Sequence, residues 1–339
     1  MTHEFKKIVQ NYIKIREKGL KTVLATVVKL DGSSYRRPGV RMLISEDGQM
    51  TGAVSGGCVE KEVLRQSQGV FNDGVAKIMT YDGRYRLGCE GILYILLEPF
   101  SVDDDFITAF KSNLKSRVSF NIKSYFALSE NNTASMGSVI KYENGTSLPF
   151  SAHFNPKIDP KKEVFEQEMS PAFKLIIIGA EHDAVQLCIT AAQLGWEVTI
   201  VASPKDPKIL LNFPGAEEIL HVIPEELPTS KIDEETAIIL MNHNYALDLK
   251  FLTFLKETLP AYIGLLGPGK RREKLLNEFM EYCPEVNYDF FDRIHGPSGL
   301  NIGAETPQEI AVSIVAEILA TVRNQNPIAL KDKSGAIHT

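Results

Sequence analysis

The stretch Lys174-Leu-Ile-Ile-Ile-Gly179-Ala-Glu-His-Asp-Ala184 decides the fold of the second half of this chain. A short apolar run ends in a glycine and a helical pattern follows, which is typical of the first strand, turn and helix of a Rossmann-like domain. Strand-like runs recur at 198–202, 236–241 and 261–266, and helical patterns occupy 183–194, 246–258 and 270–282. This alternation predicts a parallel sheet with crossover helices.

The turn departs from the dinucleotide-binding fingerprint at its second small position. Gly179 and Ala184 fill the first and third positions of G-x-G-x-x-G/A, but Glu181 places a bulky anion where phosphates come closest. The next strand ends in Ala202 and Ser203, without the acidic residue that would hold a ribose hydroxyl. NAD(P) binding and a purely structural turn therefore both remain open, with Glu181 and Ala202 weakening the first.

Several other polar residues of this half follow predicted strands, where open α/β sheets place their ligands. No histidine pair has the spacing of a metal motif, so we expect a pocket-lining role for His182 and His243, and the metal content stays unknown. Arg271 and Arg272 either bind an anion at a helix start or lie on an ordinary solvated helix face. Two further residues near strand ends are Asp292 and His295.

Length and composition indicate two globular domains. The chain has 339 residues, 44% of them hydrophobic and 24% charged, and a single core rarely grows beyond ~250–300 residues. The net charge of −6 gives no general attraction to nucleic acid or anionic lipid. No apolar run reaches the ~18–20 residues of a membrane span, and no export signal is evident. The four cysteines are scattered, which favours a reducing cytoplasm over a disulfide framework.

The predicted fold class is α/β: an N-terminal mixed α/β domain followed by a C-terminal Rossmann-like parallel-sheet domain. The polar stretch with two prolines near residue 160 indicates an interdomain linker. We expect a first domain at 1–154, a linker at 155–171, the Rossmann-like domain at 172–324, and a loose polar tail at 325–339. A final helix should begin after Thr306, because Pro307 and Glu309 complete a capping box there.

The first domain contains a concentrated group of basic and hydroxyl side chains. Arg36, Arg37 and Arg41 flank a Pro-Gly turn close to Ser34. Arginine forks match phosphate oxygens in a bidentate manner. The alternative is a solvated loop, and the chemistry favours a binding site.

A glycine-rich segment, Ser55-Gly56-Gly57, leads into a predicted helix whose first turn contains Cys58. Free backbone N–H groups and the positive end of the helix dipole would hold an anion there. The same setting lowers the pKa of a thiol. Cys89 lies in a second glycine-rich turn and would approach Cys58 if the neighbouring strands pair. Together these loops suit a ligand with a phosphate end and a sulfur- or metal-bearing end.

These motifs resemble the XdhC/CoxI family of xanthine dehydrogenase accessory proteins. In the first half the resemblance lies in Gly32-Ser-Ser-Tyr-Arg-Arg-Pro-Gly-Val-Arg-Met-Leu-Ile44 and Gly52-Ala-Val-Ser-Gly-Gly-Cys-Val-Glu60. In the second half it lies in Ile178-Gly-Ala-Glu-His-Asp-Ala184, in Tyr262-Ile-Gly-Leu-Leu-Gly-Pro268 with Arg271 and Arg272, and in the long motif His295-Gly-Pro-Ser-Gly-Leu-Asn-Ile-Gly-Ala-Glu-Thr-Pro-Gln-Glu-Ile-Ala-Val-Ser-Ile314. The resemblance thus covers both predicted domains.

The resemblance implies an accessory role in which the protein binds molybdenum cofactor, protects it during sulfuration and delivers it to a molybdenum hydroxylase. Cys58 matches the cysteine of the family's Ser-Gly-Gly-Cys motif, and Cys89 that of a Gly-Cys-Gly-Gly motif in which Glu90 replaces a glycine here. The implied partners are the hydroxylase apoenzyme and a cysteine desulfurase, and we expect a homodimer.

Three functions remain open from the sequence: a non-catalytic maturation chaperone, an NAD(P)-dependent oxidoreductase, and a scaffold that bridges two enzymes. The chaperone uses the arginine and cysteine loops of the first domain, with the three arginines on the pterin phosphate. The oxidoreductase would use Gly179 and His182. The chain does not resemble a xanthine dehydrogenase itself, because it lacks the cysteine-rich spacings of iron–sulfur clusters.

Overall fold

The structure of the protein is a computed structural model that describes residues 1–32, 37–85, 91–128, 136–156 and 162–334. The chain divides into two compact units, Met1–Ala172 and Phe173–Thr339. Among the described residues, no helix is both long and apolar enough to cross a membrane. The architecture is mixed α/β, as the sequence predicts.

The first unit is built on a five-stranded antiparallel sheet in the order β3-β2-β1-β5-β4. Most branched aliphatic residues on β1 and β5 are almost fully buried, which suits inner strands of the sheet. Two helices, α1 (Thr2–Glu17) and α2 (Cys58–Asp73), contact the sheet. The strands are β1 (Thr22–Asp31), β2 (Arg41–Ser45), β3 (Met50–Gly52), β4 (Lys77–Asp82) and β5 (Ile92–Pro99).

A second antiparallel sheet completes the first unit, in the order β8-β7-β6-β9. Helix α3 (Asp104–Ser116) precedes it, and a cluster of phenylalanines joins this helix to α1 and the end of β5. The ring centroids of Phe5 and Phe110 are 5.4 Å apart in an edge-to-face arrangement. The strands are β6 (Phe120–Phe126), β7 (Gly137–Tyr142), β8 (Ser147–Pro149) and β9 (Glu163–Met169).

Strand β9 differs from the linker that we expect at 155–171. It pairs with β6 along its whole length, from Phe120 opposite Met169 to Phe126 opposite Glu163. Most β9 side chains are exposed, and only Gln167 and Met169 are buried. An edge strand with one half-buried face can carry this many charges, which explains why its composition resembles that of a linker. The boundary between the compact units lies after Ala172.

The second unit is a six-stranded sheet in the order β12-β11-β10-β13-β14-β15, and every neighbouring pair is parallel. This confirms the predicted Rossmann-like architecture. The chain order reverses beside β10, so the turn at Gly179 lies at the switch point where such sheets bind ligands. The strands are β10 (Lys174–Ile178), β11 (Glu197–Ala202), β12 (Ala216–His221), β13 (Thr236–Leu240), β14 (Tyr262–Leu265) and β15 (Ile294–His295).

The described part of the second unit has five α-helices, four of which directly follow a strand, and the last one begins where the sequence predicts. Thr306 accepts a hydrogen bond from the Glu309 amide, and the Glu309 carboxylate accepts one from the Thr306 amide, which completes the predicted capping box. The helices are α4 (His182–Gln193), α5 (Tyr245–Leu255), α6 (Gly269–Tyr282), α7 (Tyr288–Asp292) and α8 (Pro307–Val322).

Candidate functional site

Three loops with polar or glycine-rich sequences meet one edge of the first sheet. Because the strands are antiparallel, β1 and β3 end, and β2 begins, at this same edge, as the opposition of Met42 and Gly52 and of Thr26 and Arg41 shows. The connection from β4 to β5 starts there too, since Asp82 and Ile92 are paired. Helix α2 begins at this edge with Cys58. We call these loops and the start of α2 the loop edge.

Of the predicted phosphate-binding arginines that the structure describes, Arg37 is the one on the surface. It is exposed and makes no hydrogen bond or ion pair with any described residue. Ser34, Arg36 and Cys89 lie outside the described residues. Arg37 therefore offers a guanidinium group to solvent at the loop edge.

Arg41 is placed differently from the expectation that it contacts a ligand. Its side chain turns inward, and only 6% of the residue is exposed. The Nη1 atom donates to the carbonyl of Gly39 at 2.9 Å and to Oε1 of Gln167 at 2.5 Å. The guanidinium carbon lies 5.8 Å from the ring centre of Phe5. Arg41 thus anchors the loop before β2 from within, and burial makes it unavailable to a ligand at the surface.

A buried acidic side chain in the same unit interacts electrostatically with Arg41. Glu98 on β5 is 1% exposed and accepts hydrogen bonds from the amide and the hydroxyl of Ser138 at 2.7 and 2.6 Å. Burial raises the pKa of Glu98 to about 7, against the opposing hydrogen bonds from Ser138 and the charge of Arg41. Burial likewise lowers the pKa of Arg41 to about 10. Arg41 and Glu98 thus both lie in the interior of the first unit.

The loop that leads into α2 is held by a residue that the sequence reasoning missed. Glu60 is 8% exposed, and its carboxylate accepts hydrogen bonds from the amides of Ser55 at 2.7 Å and Gly57 at 2.6 Å. Two of the backbone donors that we expect to hold an external anion are therefore satisfied by the chain itself. A glutamate at the third helical position was the available signal, since this is where capping boxes place one.

The remaining part of this loop is open. Gly56 and Gly57 are exposed, and a Cβ atom added to either would meet no atom of another described residue within 4 Å. The Gly56 amide has no partner among the described residues. Gly57 has a φ of 112°, a conformation that favours glycine. The loop is thus a fixed backbone surface with room above it, directly before Cys58.

In the second unit, Gly179 is required by packing at the end of β10. Its φ is 130°, and a Cβ atom there would lie 2.5 Å from the carbonyl oxygen of Met241. Glu181 is exposed immediately before α4, and β11 ends in the buried Ala202. The structure therefore explains Gly179 by the close approach of two chain segments.

His182 is the first residue of α4 and is exposed at the carboxyl edge of the second sheet. In the neighbouring loop, Nε2 of His243 lies 4.0 Å from Oδ2 of Asp183. The described residues contain no group of three or more His, Cys, Asp or Glu side chains that could hold a metal ion.

Arg271 at the start of α6 is engaged by a buried carboxylate. Its Nη2 atom lies 2.5 Å from Oδ2 of Asp248, a residue that is 2% exposed. Burial raises the pKa of Asp248, while hydrogen bonds from Asn242 and the charge of Arg271 oppose that shift. Arg271 therefore links α5 to α6, whereas the adjacent Arg272 has no such partner among the described residues.

Fold and loops together define a two-unit α/β protein that combines a mixed first unit with a Rossmann-type second unit. Two family models match it: "XdhC and CoxI family" over residues 15–82 and "XdhC Rossmann domain" over residues 175–318. The chain belongs to the XdhC/CoxI family, which confirms the resemblance of its motifs.

Similar proteins span nearly the whole chain. A Bacillus subtilis (strain 168) protein, named as a probable subunit of xanthine dehydrogenase, is 29% identical over 88% of this chain and 92% of its own. An Escherichia coli (strain K12) protein named "Molybdenum cofactor insertion chaperone PaoD" is 23% identical over 95% of this chain and 90% of its own.

A solved structure has the same fold. The crystal structure of a Bacillus halodurans protein, described as a xanthine dehydrogenase, superimposes with a TM-score of 0.75 at 27% sequence identity. The match covers 94% of this chain and 96% of that chain. The match therefore includes residues of both compact units.

Proposed function

We propose that this protein is a maturation chaperone that binds molybdenum cofactor and delivers it to a xanthine dehydrogenase-type molybdenum hydroxylase. The observation that carries the proposal is the open, preformed backbone of Gly56 and Gly57 directly before Cys58, at the same sheet edge as the exposed Arg37. The coarser part, a role in enzyme maturation, is supported by the relative named as a cofactor insertion chaperone.

The loop edge fits the chemistry of this cargo. The cofactor carries a phosphate and a metal held by sulfur ligands, so it needs a cation, backbone donors and space. Arg37 supplies a guanidinium without a partner among the described residues, and such a group binds phosphate oxygens in a fork. The Gly56 amide supplies an unused donor, and the missing side chains let a bulky ligand approach.

Cys58 supplies a thiol for the sulfur- and metal-bearing end of the cargo. The start of a helix stabilises negative charge and favours the thiolate form of a cysteine. Glu60 supports that role indirectly, because its two hydrogen bonds hold the loop from which α2 begins. A fixed loop keeps the binding groups in place before the cargo arrives, which reduces the entropic cost of binding.

Delivery to an enzyme also requires that the cofactor be bound reversibly. The loop edge offers polar and charged contacts at the surface rather than a buried cage, so a partner enzyme can reach the cargo. We propose the hydroxylase apoenzyme as that partner, and a cysteine desulfurase and a second copy of this chain as further partners.

The proposal is tested by anaerobic transfer. The protein, loaded with molybdenum cofactor, is mixed with a cofactor-free xanthine dehydrogenase-type hydroxylase, and recovered hydroxylase activity is measured against free cofactor. We expect faster and more complete activation with the wild-type protein, and a loss of that advantage in Arg37→Gln and Cys58→Ser. Lys111→Gln, which removes an exposed positive charge from α3, should behave like wild type. Equal activation with and without the protein would refute delivery.

A further inference from the structure

A histidine at the carboxyl edge of the second sheet is held in one orientation by its neighbours. The ring of His295, at the end of β15, stacks on the ring of Tyr262 with centroids 4.3 Å apart and an interplanar angle of 22°. Its Nδ1 atom lies 3.4 Å from Oε1 of Glu317 on α8. Contacts on the face and on one nitrogen leave the ring little freedom to turn.

Glu317 is itself fixed as a carboxylate. Its Oε2 atom accepts hydrogen bonds from the hydroxyl of Tyr262 at 2.5 Å and from the amide of Gly299 at 2.7 Å. Burial acts to raise the pKa of Glu317, but the hydrogen bonds from His295, Tyr262 and Gly299 outweigh it and the pKa is lowered. Since a carboxylate only accepts, Nδ1 of His295 carries the proton.

The opposite nitrogen of the ring is therefore the one that can act on a ligand. In the neutral ring, Nε2 of His295 has a lone pair, and no described residue forms a hydrogen bond with it. The side chain is 25% exposed, so part of it is accessible from solvent. A carboxylate that orients a histidine in this way fixes the tautomer of a functional imidazole in many sites.

An arginine without a charged partner lies beside this histidine. The side chain of Arg272 packs against Gly296, where an added Cβ atom would come within 2.9 Å of the arginine Cδ. Its Nε atom is buried without a hydrogen-bond partner, and the guanidinium makes no ion pair with any described residue. A buried donor without a partner is uncommon in folded proteins and calls for an explanation. Gly296 adjoins His295 in the chain, so the Arg272 side chain lies against the backbone segment that carries His295.

We propose that Arg272 and Nε2 of His295 form a binding site for a small hydroxylated oxyanion, independent of the cofactor site in the first unit. The guanidinium binds the phosphate or carboxylate oxygens in a fork, and Nε2 accepts a hydrogen bond from a hydroxyl group beside them. Arg271 takes no part, because Asp248 already neutralises it. Metal binding is a poorer fit, since no cluster of three ligating side chains occurs among the described residues.

Calorimetric titration of the full chain tests this site with three probes: ribose 5-phosphate, ribonate and neutral ribose. We expect saturable binding of ribose 5-phosphate, ribonate or both, and none of ribose; the two anions distinguish a phosphate from a carboxylate ligand. Arg272→Gln should weaken binding of the anion by about tenfold or more, and His295→Gln by roughly three- to tenfold. Lys231→Gln is the matched control, because it removes an exposed positive charge from the segment before β13.

A second measurement separates binding from folding. Nitrogen NMR of the histidine side chains should show His295 protonated at Nδ1, with Nε2 shifting on addition of the anion. The fluorescence of Trp196 reports whether each variant keeps the fold of the second unit. Absence of binding by the wild-type chain, or equal affinity in folded Arg272→Gln and wild type, would overturn the proposal. A negative result for anion binding would not refute cofactor binding by the first unit, since cofactor binding is measured with a different ligand.

Discussion

The substitution Glu60→Gln tests how the loop before α2 is held. The native carboxylate accepts two hydrogen bonds, from the amides of Ser55 and Gly57, and it is 8% exposed. Glutamine keeps one acceptor oxygen and turns an NH₂ group toward the other amide, so one bond is lost and a donor faces a donor. Hydrogen bonds to a charged group contribute about 1.5–3 kcal/mol each, so the loop should lose about 2–3 kcal/mol of stability.

Amide hydrogen exchange measures this loss where it occurs. If the amides of Ser55 and Gly57 exchange through local opening, a loss of that size accelerates their exchange roughly 30- to 150-fold. Glu62→Gln on the same helix is the matched control, because its ion pair with Arg65 is solvent-exposed and should change stability by less than about 1 kcal/mol. Unchanged protection of Ser55 and Gly57 in Glu60→Gln would refute the role assigned to this carboxylate.

Three further predictions concern other parts of the fold. The pKa of Glu98 is raised to about 7, so the folded state holds this proton more tightly than the unfolded state does. The free energy of unfolding should therefore fall by about 3 kcal/mol as the pH rises from ~4.5 to ~7. Urea unfolding across this range should show a weaker pH dependence for Glu98→Gln, and the same pH dependence as wild type would contradict the assignment. Gly179→Ala should lower the unfolding free energy of the second unit by about 3–5 kcal/mol, since the methyl group meets the Met241 carbonyl; a loss below about 1 kcal/mol, measured by Trp196 fluorescence in urea, would contradict this. Thr306→Ala removes the cap of α8 and should cost about 1 kcal/mol in the same assay, whereas Thr306→Ser should retain most of it.

The parts of the fold with local signals were predictable from the sequence. The strand before Gly179 has a dense apolar run, and the helix after Thr306 begins with a cap, a proline and a glutamate that act within four residues. Both signals arise from neighbours along the chain. The parallel sheet follows from the alternation of such segments, because crossover connections place consecutive strands side by side.

Features that depend on distant residues were not predictable. Strand β9 has too few buried residues to show an apolar pattern, and its pairing with β6 joins segments some forty residues apart. Arg41 has the side chain expected of a phosphate-binding loop, but it is buried because it donates a hydrogen bond to Gln167 on β9, 126 positions further along the chain. No local pattern contains that contact.

The loop edge was predictable from the sequence only in part. The glycine-rich composition of residues 55–58 predicted a loop whose backbone amides could bind a ligand, and two exposed glycines do lie there. The composition did not show that Glu60 already occupies two of the donors, because glutamate in a first helical turn is common for many reasons. The predicted anion site is thereby reduced to the Gly56 amide and Arg37 within the described part of the loops.

Anaerobic equilibrium binding of molybdenum cofactor tests the central claim most directly. The full chain and its variants are dialysed against the cofactor, and bound pterin is measured after oxidation to its fluorescent form. We predict saturable binding by wild type and by Lys111→Gln, and at least about tenfold weaker binding by Arg37→Gln, because the phosphate loses its one exposed guanidinium within the described loops. No binding by the wild-type chain, or equal affinity in wild type and Arg37→Gln, would contradict the account.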